Sequence, residues 1–261
     1  GVLLWGPGPP APPHRTRHNV EPVEGVGFVV PEGAFGEFVG LAEKKAGLVH
    51  RARIPLDPRG LEGVDWGPMT TVFFVRHGET DWNREQRFQG SLDIPLNDQG
   101  RLQARHLAQA WDRPADLLVA SPLGRARETA EILGQTLGLV LDHTDRRLRE
   151  RAYGQAEGVT LGERKQKWPD GQVPGMETME VVRSRSRSFL HEVIQAYPGR
   201  RVIAVSHGGL INAVLSLVTG GELGTGKTLL ANASVSTLVY DEGRWTVREA
   251  GRTYPSPSVS P

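Results

Sequence analysis

Residues 71–80 read Thr71-Val72-Phe73-Phe74-Val75-Arg76-His77-Gly78-Glu79-Thr80, five β-favouring residues that run straight into Arg-His-Gly. An apolar run without polar alternation predicts a strand buried on both faces, as parallel sheets place at their centre. Two more runs end alike. Leu117-Leu118-Val119-Ala120 leads into Ser121-Pro122-Leu123-Gly124-Arg125-Ala126, and Ile203-Ala204-Val205 leads into Ser206-His207-Gly208-Gly209. Short runs at 139–143 and 236–240 also alternate with helical stretches. The expected fold is therefore α/β, a three-layer α/β/α sandwich with a mostly parallel sheet. In open α/β sheets the ligand crevice lies beyond the carboxyl ends of the strands, so the three polar edges converge on one pocket.

Two helices are legible. Asn97 is a natural N-cap for a helix from Asp98, with Leu102, Leu107, Ala110 and Trp111 as its core side. A longer helix over 177–197 carries the stripe Val182, Ser186, Phe189, Val193 and Tyr197. The run RSRSRS at 183–188 lies on it and reads as a solvated face.

Composition bounds the function. The chain has 261 residues, of which 38% are hydrophobic and 23% charged, enough apolar content for a packed core. With 31 basic against 30 acidic residues, bulk charge calls for neither a nucleic acid nor a membrane partner. The absence of Cys excludes disulfides, thiolate metal sites and a Cys nucleophile. No apolar run approaches the roughly 18 residues of a spanning helix, and the opening GVLLWG lacks the basic flank of a signal peptide. The cytoplasm is the expected location. Residues 1–68 hold 12 of the 32 glycines and 10 of the 19 prolines. They are expected to be an N-terminal appendage, with a strand, a helix and a second strand between Gly25 and Ile54. That appendage is an accessory piece, a partial domain, or upstream sequence ahead of a start at Met69. The catalytic domain is expected over 69–250 and a flexible tail over 251–261.

The converging edges bring together two histidines and two arginines. Guanidinium forks bind phosphoryl oxygens bidentately, and an imidazole nitrogen is a competent nucleophile toward phosphorus. Glycines directly after both histidines let backbone approach an oxyanion, and a helix starting near Gly208 can aim N–H groups at it. A phosphomonoester also needs a proton for its leaving alcohol. Glu150, in Leu148-Arg149-Glu150-Arg151-Ala152-Tyr153-Gly154, is the candidate acid, and a dianionic phosphate beside it would favour its protonated form. Glu79 and Glu157 are the competing carboxylates. His14, His18, His50, His106, His143 and His191 fall outside these clusters and read as structural or solvated.

The segments RHGETDWN (76–83), RFQGSLDIPLNDQGRLQA (87–104), SPLGRARETA (121–130), LRERAYG (148–154), PGMET (174–178), VSHGG (205–209) and NASVSTLVYDEG (232–243) together resemble the phosphoglycerate-mutase-like branch of the histidine phosphatase superfamily. The likeness is greatest to small broad-specificity or α-ribazole-type phosphatases. The resemblance implies that His77 becomes a phosphohistidine, that Arg76, Arg125 and His207 hold the phosphate, and that Glu150 is proton donor and then base. It implies that Asn83, Gln89, Gly90 and Gly208 line the pocket, and that a small phosphomonoester is hydrolysed without metal or other cofactor. Phe74 departs from the family's usual aliphatic residue, which questions packing rather than chemistry. Cofactor-dependent mutases of this branch carry a Lys eleven positions after the acid, where this chain has Leu161, and a longer segment with paired arginines before the second histidine. Hydrolysis is therefore expected over mutase activity. A non-catalytic binding module on the same fold is the third alternative.

Gly221-Glu222-Leu223-Gly224-Thr225-Gly226-Lys227-Thr228 satisfies the P-loop pattern letter for letter, with Val239-Tyr240-Asp241 as a distant Walker B imitation. Before it runs a predicted helix, not a strand. It is expected to be the loop leaving that helix.

Overall fold

The computed structural model describes residues 69–254. The appendage expected over 1–68 and residues 255–261 of the expected tail lie outside the described residues. The strands are β1 (Thr70–Arg76), β2 (Leu117–Ala120), β3 (Leu141–Thr144), β4 (Arg201–Ser206), β5 (Val235–Asp241) and β6 (Arg244–Arg252). The helices are α1 (Asp81–Arg84), α2 (Asp98–Gln109), α3 (Gly124–Leu137), α4 (Leu161–Lys167), α5 (Met179–Ala196) and α6 (Gly208–Val218). No described helix is long and apolar enough to cross a membrane.

The sheet order is β3-β2-β4-β1-β5-β6. Neighbours from β3 to β1 pair in parallel, while β5 is antiparallel to β1 and β6 to β5. The unbroken apolar run of β1 thus sits between two partners, and its alternation feeds both layers. Val72 and Phe74 join Val202, Leu238 and the α5 and α6 residues Val182, Phe189 and Val214. Phe73 and Val75 join Leu107 of α2 and Ala130 and Leu133 of α3. Phe74 is fully buried, with its ring edge-on to Phe189 at 5.9 Å between centroids, so the departure from an aliphatic residue is absorbed by packing.

Asn97 caps α2 as expected, its Oδ1 accepting from Gly100 N at 2.8 Å. Leu107 and Trp111 pack into the core as expected, but the rest of the inward face is a correction. Gly100, Ala104, Leu107 and Ala108 are buried, whereas Leu102 is 39% exposed and Ala110 also faces out. The cause is a backbone approach: a Cβ on Gly100 would stand 2.1 Å from the Glu79 carbonyl oxygen. That contact turns the helix so that Gly100 and the residues four, seven and eight further on point inward. On α5 the stripe Val182, Ser186, Phe189 and Val193 is buried, and Tyr197 packs against the same cluster.

Strand β6 was not expected. Glu242 and Gly243 both adopt positive φ, as a two-residue primed turn requires, and return the chain antiparallel to β5. The strand runs through Arg252, past the expected boundary at 250, and Tyr254 packs partly into the core. The P-loop look-alike follows α6, and among the described residues only β5 and β6 come after it. Lys227 Nζ donates to the Gly221 carbonyl at 2.5 Å. The strand-loop-helix context of a nucleotide site is missing.

Candidate active site

Arg76 and Ser206 are paired in the β1–β4 register, so the residues that follow them emerge side by side. The rings of His77 and His207 lie 5.1 Å apart between centroids, and both are buried. His77 Nδ1 lies 2.7 Å from the Gly78 carbonyl oxygen. A carbonyl only accepts, so Nδ1 carries the proton and Nε2 is left with the lone pair. His207 Nε2 meets Ser121 Oγ at 2.8 Å, just past the end of β2.

Arg125, the second residue of α3, is fully buried. Its Nη1 donates to the Leu92 carbonyl at 2.7 Å and its Nη2 to the Gly90 carbonyl at 2.9 Å. Arg76 Nη1 donates to the Leu230 carbonyl, and its Nε is 3.5 Å from where a Cβ on Gly208 would stand. Among the described residues, the buried atoms Arg76 Nε, Arg125 Nε, Gln89 Oε1 and His207 Nδ1 have no hydrogen-bond partner. Buried polar atoms are usually satisfied, so three unpartnered ones on Arg76, Arg125 and His207, all of which bear on His77, mark a ligand site.

Burial first, then the Arg125 and Arg76 charges, hold the His77 imidazole well below its ordinary range. His207 is lowered by burial and then by Arg125 and His77. Burial lowers Arg76 and Arg125 too, opposed in both by the Glu150 charge. Both imidazoles are therefore neutral in the fold at pH 7, while unfolded histidines titrate near about 6.5. Below that pH the unfolded chain binds protons the folded chain does not, so this stability is complete above about pH 6.5 and is lost as pH falls. Each imidazole adds about 1.4 kcal/mol per pH unit to the slope within its window. Urea unfolding between pH 7.5 and 5.5 should show a shallower loss for His77→Asn than for the wild type. Equal slopes would contradict a depressed His77.

The Glu150 carboxylate accepts from three backbone donors: Oε1 from Arg151 N at 2.8 Å and Leu210 N at 3.0 Å, Oε2 from Gly209 N at 3.0 Å. This corrects the expectation that the start of α6 aims its N–H groups at an oxyanion, since two of them serve Glu150. Of the competitors, Glu79 Oε1 accepts from Asn97 Nδ2, the side chain that caps α2, at 2.9 Å. Glu157 Oε1 ties Ser91 N to Tyr153 N at 2.9 and 3.0 Å. Only Glu150 weighs on both arginines.

Asn83 lies close by, its Oδ1 engaged by Thr80 N and by Asn232 Nδ2 at 3.2 and 3.1 Å. Gln89 is buried, and Gly90 reaches the site through its carbonyl on Arg125. His143 pairs with Asp142 at 2.7 Å and His191 is exposed. Among the described residues no three His, Asp or Glu side chains gather as a metal ion would need.

The sequence reading missed three neighbours. A Cβ on Gly209 would come within 2.5 Å of Glu150 Oε1 and 2.9 Å of Tyr153 Oη, which places the Tyr153 hydroxyl at the acid. Burial and then the Glu150 charge push that phenol up. Asn232 Nδ2 donates to the His77 carbonyl at 3.0 Å, and Arg185 is not solvated as the run RSRSRS suggested, its side chain being 13% exposed. Tyr153 and Asn232 stood inside quoted motifs, but spacing alone could not orient them.

Two imidazoles and two guanidiniums at the carboxyl edge of a parallel sheet form a site suited to a phosphoryl group. The profile of the histidine phosphatase superfamily (branch 1) matches residues 72–253, and the chain belongs to that superfamily. It is thus a phosphatase or a mutase. It is 43% identical over 182 residues to a Bacillus subtilis protein named uncharacterized phosphatase PhoE, covering 69% of this chain and 94% of that one. Against a probable phosphoglycerate mutase GpmB of Cronobacter sakazakii the identity is 36% over 192 residues, covering 68% and 88%. Among solved structures, a mycobacterial glucosyl-3-phosphoglycerate phosphatase in complex with VO3 superposes with TM-score 0.63 at 31% identity, covering 70% of this chain and 99% of that one.

Proposed function

We propose that the protein hydrolyses small phosphomonoesters through a phosphohistidine, without a metal ion. The observation that carries this is the His77 Nε2 lone pair beside the unpartnered Arg76 Nε, Arg125 Nε and His207 Nδ1. Nε2 attacks phosphorus in line, an N–P bond forms, the P–O ester bond breaks, and Glu150 delivers a proton to the departing oxygen. Glu150 then takes a proton from water, whose oxygen attacks phosphorus and releases His77 and inorganic phosphate. Arg76, Arg125 and His207 hold the charge on the equatorial oxygens throughout. Asn83, Gln89, Gly90 and Gly208 shape the pocket around them.

Hydrolysis is favoured over transfer by Leu161, which stands 51% exposed on α4 where the mutases of this branch have a Lys to hold a second acidic group. The cysteine-free chain suits the reducing cytoplasm. A panel of sugar phosphates, phosphoglycerate derivatives, nucleotides and α-ribazole phosphate tests the reading, with 3-phosphoglycerate mutase activity measured in parallel. Phosphate release should dominate, vanadate should inhibit competitively as a mimic of five-coordinate phosphorus, and EDTA should change nothing. Mutase turnover above hydrolysis, or loss of activity on chelation, would overturn it.

A further inference from the structure

The acid loop between the 3-10 turn at Arg146–Leu148 and the Tyr153–Met176 bridge has no helix or strand to hold Glu150 in place. The start of α6 and Arg151 N hold its carboxylate, while the backbone that carries it is held from α5. Arg185, two turns into α5, donates through Nη1 to the carbonyls of Arg147 at 2.7 Å and Arg149 at 2.6 Å. Its other edge pairs with Glu177, Nε to Oε1 at 2.9 Å and Nη2 to Oε2 at 3.1 Å. Glu177 in turn takes Ala152 N on Oε2 at 3.2 Å, and its own N donates to the Ala152 carbonyl at 2.8 Å. Ser206 Oγ holds the carbonyl between the two clamped ones, that of Leu148, at 2.7 Å. Glu150 is thus fixed from both sides of its own position in the chain.

We propose that Arg185, oriented by Glu177, is a positioning residue for Glu150, fixing the backbone of this loop while the start of α6 holds the carboxylate, and not acting on the substrate. The inference rests on Glu150 being the proton donor proposed above. Only a planar guanidinium can serve two carbonyls on one edge and a carboxylate on the other; an ammonium has no such fork. Both side chains are mostly buried, 13% exposed for Arg185 and 17% for Glu177, so water does not replace the clamp at little cost. A proton donor displaced by about 1 Å can cost about 100-fold in rate.

The test uses the full chain with Arg185→Ala, Arg185→Lys and Glu177→Gln, assayed on glycerol phosphate and on an aryl phosphate whose phenol leaves unaided. On glycerol phosphate, kcat/KM should fall about 10- to 100-fold for Arg185→Ala, mostly in kcat, and on the aryl phosphate by no more than about threefold. Arg185→Lys keeps the charge that also reaches His207 but not the fork, so it should recover only part of the loss. Glu177→Gln, which keeps side-chain hydrogen bonding, should show a smaller loss of the same kind. In the double variant Glu150→Gln/Arg185→Ala, the fall on glycerol phosphate should not exceed that of Glu150→Gln alone, because one pathway is removed twice. Equal losses on both substrates, full rescue by Lys, or multiplied losses in the double variant would overturn the inference even if the variants unfold at lower urea. Glu150→Gln losing nothing on glycerol phosphate would instead remove the proton donor, and the inference with it.

Discussion

His77→Ala is expected to lose hydrolysis of every phosphomonoester, with kcat/KM down more than about 10⁴-fold even on an activated aryl phosphate. The size follows from what the ring alone supplies. Nε2 is the unprotonated nitrogen of the His77 ring, since Nδ1 is tied to the Gly78 carbonyl. Burial first, and then the Arg125 and Arg76 charges, keep that lone pair available by disfavouring the imidazolium. Alanine leaves those cations able to bind phosphate but gives phosphorus no partner. Binding of inorganic phosphate should therefore survive while turnover is lost. Rapid acid-free quenching with labelled substrate should trap a phosphoprotein that is acid-labile and alkali-stable in the wild type and absent from the variant. The Gly78 carbonyl left behind costs about 1–3 kcal/mol, so urea unfolding must show that the variant remains folded at the assay temperature. Activity within about tenfold of wild type, in a folded protein, would sink the nucleophile assignment.

How much was legible before the structure depended on whether a residue's role is local. The runs 71–75 and 202–206 announced buried central strands because an apolar run without alternation has no solvated face to offer. The convergence of Arg76, His77, Arg125 and His207 followed, since strand ends in a parallel sheet share one edge. Strand β6 was illegible because Arg244, Arg248 and Glu249 alternate irregularly on a half-exposed edge, and its hairpin turns on Glu242 and Gly243 with no stronger cue. At α2, Leu107 and Trp111 were read correctly, but Leu102 and Ala110 were not, because the close approach of Gly100 to the Glu79 backbone goes with Ala104 and Ala108 on the inward face. Arg185 was lost in its own repeat. Three arginines alternate with serines over 183–188, and only helix geometry shows that one of them turns beneath the acid loop while Arg187 meets exposed Glu180 at 3.2 Å.

Glu150→Gln should separate the two steps of the reaction. With a poor leaving group such as an alkyl alkoxide, bond cleavage needs the proton, and kcat/KM should fall about 10²- to 10⁴-fold. With an aryl phosphate the phenolate leaves unaided, so kcat/KM, which ends at the first irreversible step, should change little. The second step has no such escape, because water must lose a proton to the same group. The variant should release a burst of phenolate close to one equivalent of enzyme and then turn over slowly, with phosphohistidine accumulating. The substitution is close to isosteric but not innocent. A carboxylate can take all three donors, Arg151 N, Gly209 N and Leu210 N, whereas an amide offers one oxygen, which serves Arg151 N and Leu210 N best and turns its NH₂ toward the N–H of Gly209. One unmatched donor costs about 1–3 kcal/mol and should appear in urea unfolding, not in the leaving-group dependence. The slope of log kcat/KM against leaving-group pKa thus isolates the chemistry: steeper in the variant if Glu150 is the acid, unchanged if Glu79 or Glu157 supplies the proton.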